Sequence, residues 1–216
     1  MISIQHASKK IGEEWVLKDI CLELDENKIY GFQGRNGSGK TMLFRAITGL
    51  IHLTKGNIYI YNERIQANHM PPSCGLLLEH PAFLKDLTGY QNLKMQGLLL
   101  PGLGEEEITS LLAEVGLQDA ARKKFGKYSL GMKQRLGIAG ALLGHPKLLI
   151  LDEPTIALDE SGVKLLKKIL LARKKEGATI LVSSHEQEII DYLSDEVIFM
   201  REGTVVSREA LLTEQA

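Results

Sequence analysis

The sequence predicts an α/β fold of mostly parallel strands, with an antiparallel β portion at the N-terminus and an inserted helical lobe. Three observations carry that expectation. A short apolar strand, "NKIYGFQ", runs straight into the glycine-rich loop "GRNGSGKT" and then into a helix. Two further buried apolar runs, "KLLIL" and "ATILVSS", each end on polar groups, as parallel strands do when they open onto a site. Between about 86 and 145 almost every segment has helical periodicity instead, which makes that stretch an insertion.

In chain order, "DICLEL" at 19–24 places Ile20, Leu22 and Leu24 on one face, the pattern of a half-buried strand. "NKIYGFQ" is the strand before the loop. After Lys40 and Thr41, "MLFRAITGL" sets Leu43, Ile47 and Leu50 at helical spacing. "NIYIYN" at 57–62 and "CGLLLE" at 74–79 read as further strands. Thr88 and Gln91 have the spacing of a capping box, and "EEEITSLLAEVGL" is amphipathic. "KLLILDEP" is a buried strand ending in carboxylates. "SGVKLLKKILLARKKEG" is a helix closed by Gly177 with its lysines on the wet side, a solvated face rather than a nucleic-acid patch. "ATILVSSH" is another buried strand, and "EVIFMREGTVV" a closing hairpin. The expected division is a core lobe near 1–80 and 140–216 and a helical lobe near 81–139, together one domain over 1–216.

The loop fits G-x-x-x-x-G-K-[ST] at Gly34, Gly39, Lys40 and Thr41. Glycines at such positions let successive backbone N–H groups converge on phosphate oxygens. Lys40 adds a cation for the β- and γ-phosphates, and the Thr41 hydroxyl is a ligand for Mg²⁺. At the end of "LLILDE", Asp152 is placed to hold Mg²⁺ and Glu153 to polarise a water for attack on the γ-phosphate. A second polar turn, "KYSLGMKQ" at 127–134, precedes the apolar run "RLGIAGALLG" and has no role in a single phosphate site.

Together these motifs resemble the ATP-binding subunit of an ABC (ATP-binding cassette) transporter, over nearly the whole length. The resemblance implies a P-loop NTPase core binding ATP and Mg²⁺. "GRNGSGKT" corresponds to the Walker A loop, so Arg35, Asn36, Gly37, Ser38, Gly39, Lys40 and Thr41 are expected around the nucleotide. "LLILDEP" corresponds to Walker B, "YSLGMKQR" to the signature usually written LSGGQ, "IALD" ending at Asp159 to the D-loop, and His185 to the switch histidine. The family resemblance makes Glu153 and His185 catalytic and brings Ser129 and Gly131 to the nucleotide of a second, head-to-tail copy.

The chain also departs from the family pattern. Leu130 stands where the signature usually has glycine, followed by Met132 and Lys133. Glu79 stands where the family usually carries the Q-loop glutamine, and a carboxylate there remains a Mg²⁺ ligand candidate. Both variants resemble the branch that exports antimicrobial peptides or protects against them. The aromatic that usually stacks on adenine is matched by Ile11; Trp15, four residues on, is the candidate replacement, with a partly buried strand tryptophan as the alternative.

Bulk properties narrow the class. Charged residues make up 25% and the net charge is −1, so nothing in the total favours nucleic acid or an anionic membrane surface. The opening residues have no apolar signal core, and no run approaches the ~18–20 apolar residues of a span. Cys21 and Cys74 lie in apolar surroundings without CxxC spacing and are expected to be reduced core thiols. The expectation is a cytoplasmic ATPase held at the inner membrane face by a separate permease, homodimeric, and exporting. A soluble family member acting on ribosomes or DNA is the rival; those usually carry two such domains or a long coiled coil. A nucleotide sensor without turnover is the other, against which Glu153 argues.

Overall fold

The computed structural model describes residues 1–78, 81–100 and 102–207. Strands β1 (Ile2–Ile11) and β2 (Glu14–Leu24) form an antiparallel ribbon, and β3 (Ile29–Gln33) leads into α1 (Lys40–Ile47). Next come β4 (Lys55–Ile60), the short β5 (Glu63–Arg64) and β6 (Cys74–Leu77). Helices α2 (Gly89–Gly97), α3 (Glu105–Glu114) and α4 (Leu130–Leu142) follow, with two single 3₁₀ turns between α3 and α4. The chain closes with β7 (Leu148–Leu151), α5 (Glu160–Lys175), β8 (Thr179–Ser184), α6 (Gln187–Leu193), β9 (Glu196–Arg201) and β10 (Thr204–Val206).

The strands make two sheets, an antiparallel one ordered β2-β1-β4-β5 and a six-stranded one ordered β10-β9-β3-β8-β7-β6. In the second sheet every pairing from β9 to β6 is parallel, and only the β9–β10 hairpin is antiparallel. Strand parity divides its side chains between two cores. Ile29, Leu149, Leu151, Ile180 and Val182 face a layer of helices that includes α4, α5 and α6. Tyr30, Phe32, Leu148, Ile150 and Leu181 face α1 and the antiparallel sheet. Burial on both sides explains why β7 and β8 read as unbroken apolar runs.

The inserted helices are pinned by specific devices. Thr88 accepts from the Gln91 N–H at 3.1 Å while the Gln91 side chain accepts from the Thr88 N–H at 2.9 Å, completing the capping box at the start of α2. Buried Arg173 on α5 reaches Glu114 on α3 at 2.5 Å and Glu176 at 3.1 Å, tying the inserted helices to the core. From Leu136 to Leu142 helix α4 is apolar on all sides because it lies under the sheet as well as beside α2 and α3.

Two sequence expectations need correction. Helix α1 ends at Ile47, and Leu50 lies beyond it, 45% exposed, because Thr48 and Gly49 turn the chain out of the helix. Cys21 is exposed on the outer face of the antiparallel sheet rather than in the core, since its position is out of phase with Ile20 and Leu22. Cys74 is partly buried as expected, and that burial pushes its thiol up to about 12. Strand β1, the centre of the antiparallel sheet, carries little alternation because its register shifts between Ile4 and Ala7 and again before Lys9.

Candidate functional site

The glycine loop sits where β3 ends and α1 begins, at the carboxyl edge of the parallel strands. Gly39 has φ 104, a conformation open to glycine, and caps α1 directly. Closing the loop from outside, the Gly203 N–H donates to Ser38 O at 2.9 Å, and the Lys18 N–H donates to Gly203 O at 2.7 Å. The β9–β10 turn and β2 therefore wall the site.

Lys40 is only 5% exposed. Its ammonium donates to Gly34 O at 2.5 Å and lies 3.6 Å from Glu153 Oε1. A buried ammonium held by a carbonyl and an acid is poised to exchange either for phosphate oxygens. Thr41 Oγ1 donates to Asp152 Oδ2 at 2.5 Å, and Ser183 Oγ donates to Asp152 Oδ1 at 2.5 Å, so the end of β8 orients the β7 carboxylate. Ser183 Oγ in turn accepts from the Glu153 N–H at 2.8 Å.

Glu153 is held at φ 48, an unfavourable backbone region for a glutamate, and such strain collects at working sites. That conformation turns its carboxylate back toward the loop, where Oε2 meets His185 Nδ1 at 3.0 Å. Glu153 Oε1 and Ser38 Oγ are buried with no hydrogen-bond partner among the described residues. Two unsatisfied polar atoms beside a buried lysine suit a site completed by a polar ligand. Thr41 and Asp152 are the hard oxygen donors that suit Mg²⁺.

A pocket of about 640 Å³ gathers these groups, lined by Asn36 to Met42, Asp152, Glu153, Glu202, Gly203 and, from β2, Glu14, Trp15, Val16 and Lys18. Trp15 is thus on the pocket wall, with the Lys55 ammonium over its ring, 5.7 Å from the centroid. Ile11 is 51% exposed and does not line it. The wall residues Glu202 and Gly203 carry no sequence signal of their own; only the fold brings them here.

Ser129 and Gly131 are absent from the pocket wall. Ser129 caps α4, its hydroxyl accepting from the Met132 N–H at 3.2 Å, and Leu130 beside it is 56% exposed. The same helix reaches the end of β7 from behind, where Gln134 Nε2 donates to Glu153 O at 3.3 Å. A side chain at Gly131 would press on Ala157 O, 2.8 Å from its Cβ position. Asp159 caps α5 through the Gly162 N–H at 2.8 Å, which lowers its carboxyl below the usual range. Glu79 lies outside the described residues.

A second concavity of about 660 Å³ opens between β6, α2 and α4. It is apolar, lined by Leu76 to Leu78, Phe83, Leu84 and Met95, and rimmed by Leu98 and Leu99, 79% and 83% exposed.

Comparison with known proteins places this geometry. The sequence profile of the ABC transporter family matches residues 17–156. The chain is 40% identical over 213 residues to an uncharacterized ABC transporter ATP-binding protein, YybJ, of Bacillus subtilis, covering 98% of each chain. It is 38% identical to the lantibiotic transport ATP-binding protein SrtF of Streptococcus pyogenes, over 95% of this chain and 89% of that one. Against the bacitracin transport ATP-binding protein BcrA of Enterococcus faecalis it is 38% identical, over 95% of this chain and 68% of the relative. Among solved structures, the dimeric post-hydrolysis state of the ATP-binding cassette MJ0796, bound to ADP and Pi, superposes with a TM-score of 0.83 at 25% identity, over 96% and 97% of the two chains.

Proposed function

The chain belongs to the ATP-binding proteins of the ABC transporter family and is an ATPase; from that premise we propose that two copies close on ATP at composite sites and drive export through a separate membrane permease. The observation that carries the proposal is the separation of the two anion-binding turns. Lys40, Thr41, Asp152 and Glu153 share one pocket, while Ser129 and Gly131 cap an exposed helix end that is not part of its wall. The positive N-terminus of α4 then has an anion to meet only on another copy.

Within each site the residues divide the work. The loop amides and Lys40 bind and orient the phosphates. Thr41 and Asp152 hold Mg²⁺, which neutralises charge on the β- and γ-phosphates when bound. Glu153 accepts the proton of the attacking water, His185 fixes the Glu153 carboxylate, and Trp15 takes the base on the outer wall. Gln134 joins the signature helix to the Glu153 backbone, so seating Ser129 on the partner's nucleotide is felt at this chain's own base.

Among the described residues no helix is long and apolar enough to cross a membrane. The apolar groove rimmed by Leu98 and Leu99 is the site proposed for the permease, on the cytoplasmic face of the membrane. The lantibiotic and bacitracin transport relatives favour an antimicrobial peptide as cargo.

The experiment mixes two inactive chains, Ser129→Arg and Lys40→Ala. In a crossed heterodimer one site carries both lesions and the other neither, so activity returns. In an uncrossed dimer every site carries one lesion and mixing restores nothing. Failure to recover hydrolysis when heterodimers are demonstrably present means that the sites do not cross or that both must work together, and constant activity per chain on dilution below the dimer's dissociation range overturns the composite site.

A further inference from the structure

The antiparallel sheet carries a feature the ATPase chemistry does not use. Two bulges follow one another where β1 pairs β2. Between Ile4↔Leu22 and Ala7↔Ile20, two β1 residues oppose Cys21 alone; between Ala7↔Ile20 and Lys9↔Leu17, two β2 residues oppose Ser8 alone. His6 and Asp19 occupy these bulges at φ 51 each, so both side chains leave the core-facing rows of their strands. The first bulge is built into the sheet, because β4 passes it at Gly56, where a Cβ would lie 2.2 Å from His6 O.

The result is a convergence of three chemically different donors on the outer face of the sheet. His6 Nδ1 lies 2.8 Å from Asp19 Oδ1 and 3.6 Å from Cys21 Sγ. All three ligand atoms fall within 4.8 Å of one another, the one such group of histidine, cysteine and acid donors among the described residues. The His6 backbone N–H also donates to Cys21 Sγ at 3.3 Å, which holds the sulfur beside the histidine.

We propose that His6, Asp19 and Cys21 form a binding site for a borderline-soft divalent cation of the zinc class, separate from the nucleotide pocket. Imidazole, thiolate and carboxylate are the donor types zinc takes, at about 2.0–2.3 Å in tetrahedral array. Donor separations of 2.8 and 3.6 Å need only small side-chain rotations to reach that array. The side chains of His6 and Asp19 are 77% and 74% exposed, so the fourth position is open to water and the cation exchanges freely with solution. A thiolate in the set selects against Mg²⁺, the ion of the ATP site.

The test titrates nucleotide-free protein with Co²⁺, read by the thiolate-to-metal absorption band, and with Zn²⁺ against a chromophoric chelator. Wild type is expected to take one equivalent at this site and show the band. Cys21→Ser should abolish the band although Cys74 remains, because the buried Cys74 thiol is pushed up to about 12 and stays protonated. His6→Ala should weaken Zn²⁺ binding at least about tenfold, the scale of losing support for a bound metal. Zn²⁺ should raise the melting temperature of wild type and leave that of Cys21→Ser unchanged. Equal Zn²⁺ affinity in wild type and Cys21→Ser, or displacement of Co²⁺ by a modest excess of Mg²⁺, would overturn the site.

Discussion

Replacing Glu153 by glutamine removes one proton-accepting oxygen and changes almost nothing in shape. The side chain is 15% exposed, held between the Lys40 ammonium at 3.6 Å and His185 Nδ1 at 3.0 Å. Loss of a general base costs about 10²–10⁴-fold in rate, or ~3–5 kcal/mol of barrier. Binding should move the other way. At an effective dielectric near 20, an ion pair at this 3.6 Å spacing is worth on the order of 5 kcal/mol before desolvation, and that attraction competes with phosphate for Lys40. Neutralising Glu153 leaves Lys40 its bond to Gly34 O at 2.5 Å and frees it for the nucleotide. Glu153→Gln should therefore bind ATP at least as tightly as wild type, turn it over at least about a hundredfold more slowly, and accumulate as an ATP-bound dimer. The assay is steady-state phosphate release at saturating ATP, with nucleotide retention and size-exclusion on the same sample. Turnover within about threefold of wild type would refute Glu153 as the base, whatever the binding result.

Lys40→Ala should abolish nucleotide binding itself, since the loop loses its one buried cation; unchanged ATP affinity in a titration would move the phosphate site elsewhere. Trp15→Ala should raise the ATP concentration for half-maximal rate about tenfold with kcat unchanged, in line with ~1–3 kcal/mol for stacking on a base; no change would make Trp15 a strand tryptophan only. Gly75→Ala tests the seating of α4 on β6, where a Cβ would lie 1.8 Å from Ala141 O. Overpacking there should cost about 1–3 kcal/mol by chemical denaturation, and a loss under ~0.5 kcal/mol would mean that α4 yields freely.

Much of this protein was legible in the chain because the decisive signals are local. Strand, glycine loop, lysine and helix are contiguous, so backbone chemistry alone predicts a phosphate cradle between Gly34 and Thr41. Strands β7 and β8 announce burial on both faces through unbroken apolar runs, and each delivers its polar end, Asp152 or Ser183, to the same edge. The Thr88–Gln91 box could be read three residues apart because both its bonds are made there.

What escaped the sequence is what depends on register and on distant segments. A bulge cancels the period-2 signal, so β1 gave little sign of its place at the centre of a sheet, and Cys21 looked like a core thiol until strand phase turned it outward. Glu202 and Gly203 reach the pocket only because β9–β10 folds back over the glycine loop. The sequence by itself determined the strand–glycine loop–helix unit and the phosphate cradle expected of it, since both are written in adjacent residues. Only the tertiary structure decided that Glu153 turns back to Lys40 and His185, and that His6, Asp19 and Cys21 meet, because those distances belong to strand pairing and not to any local run of residues.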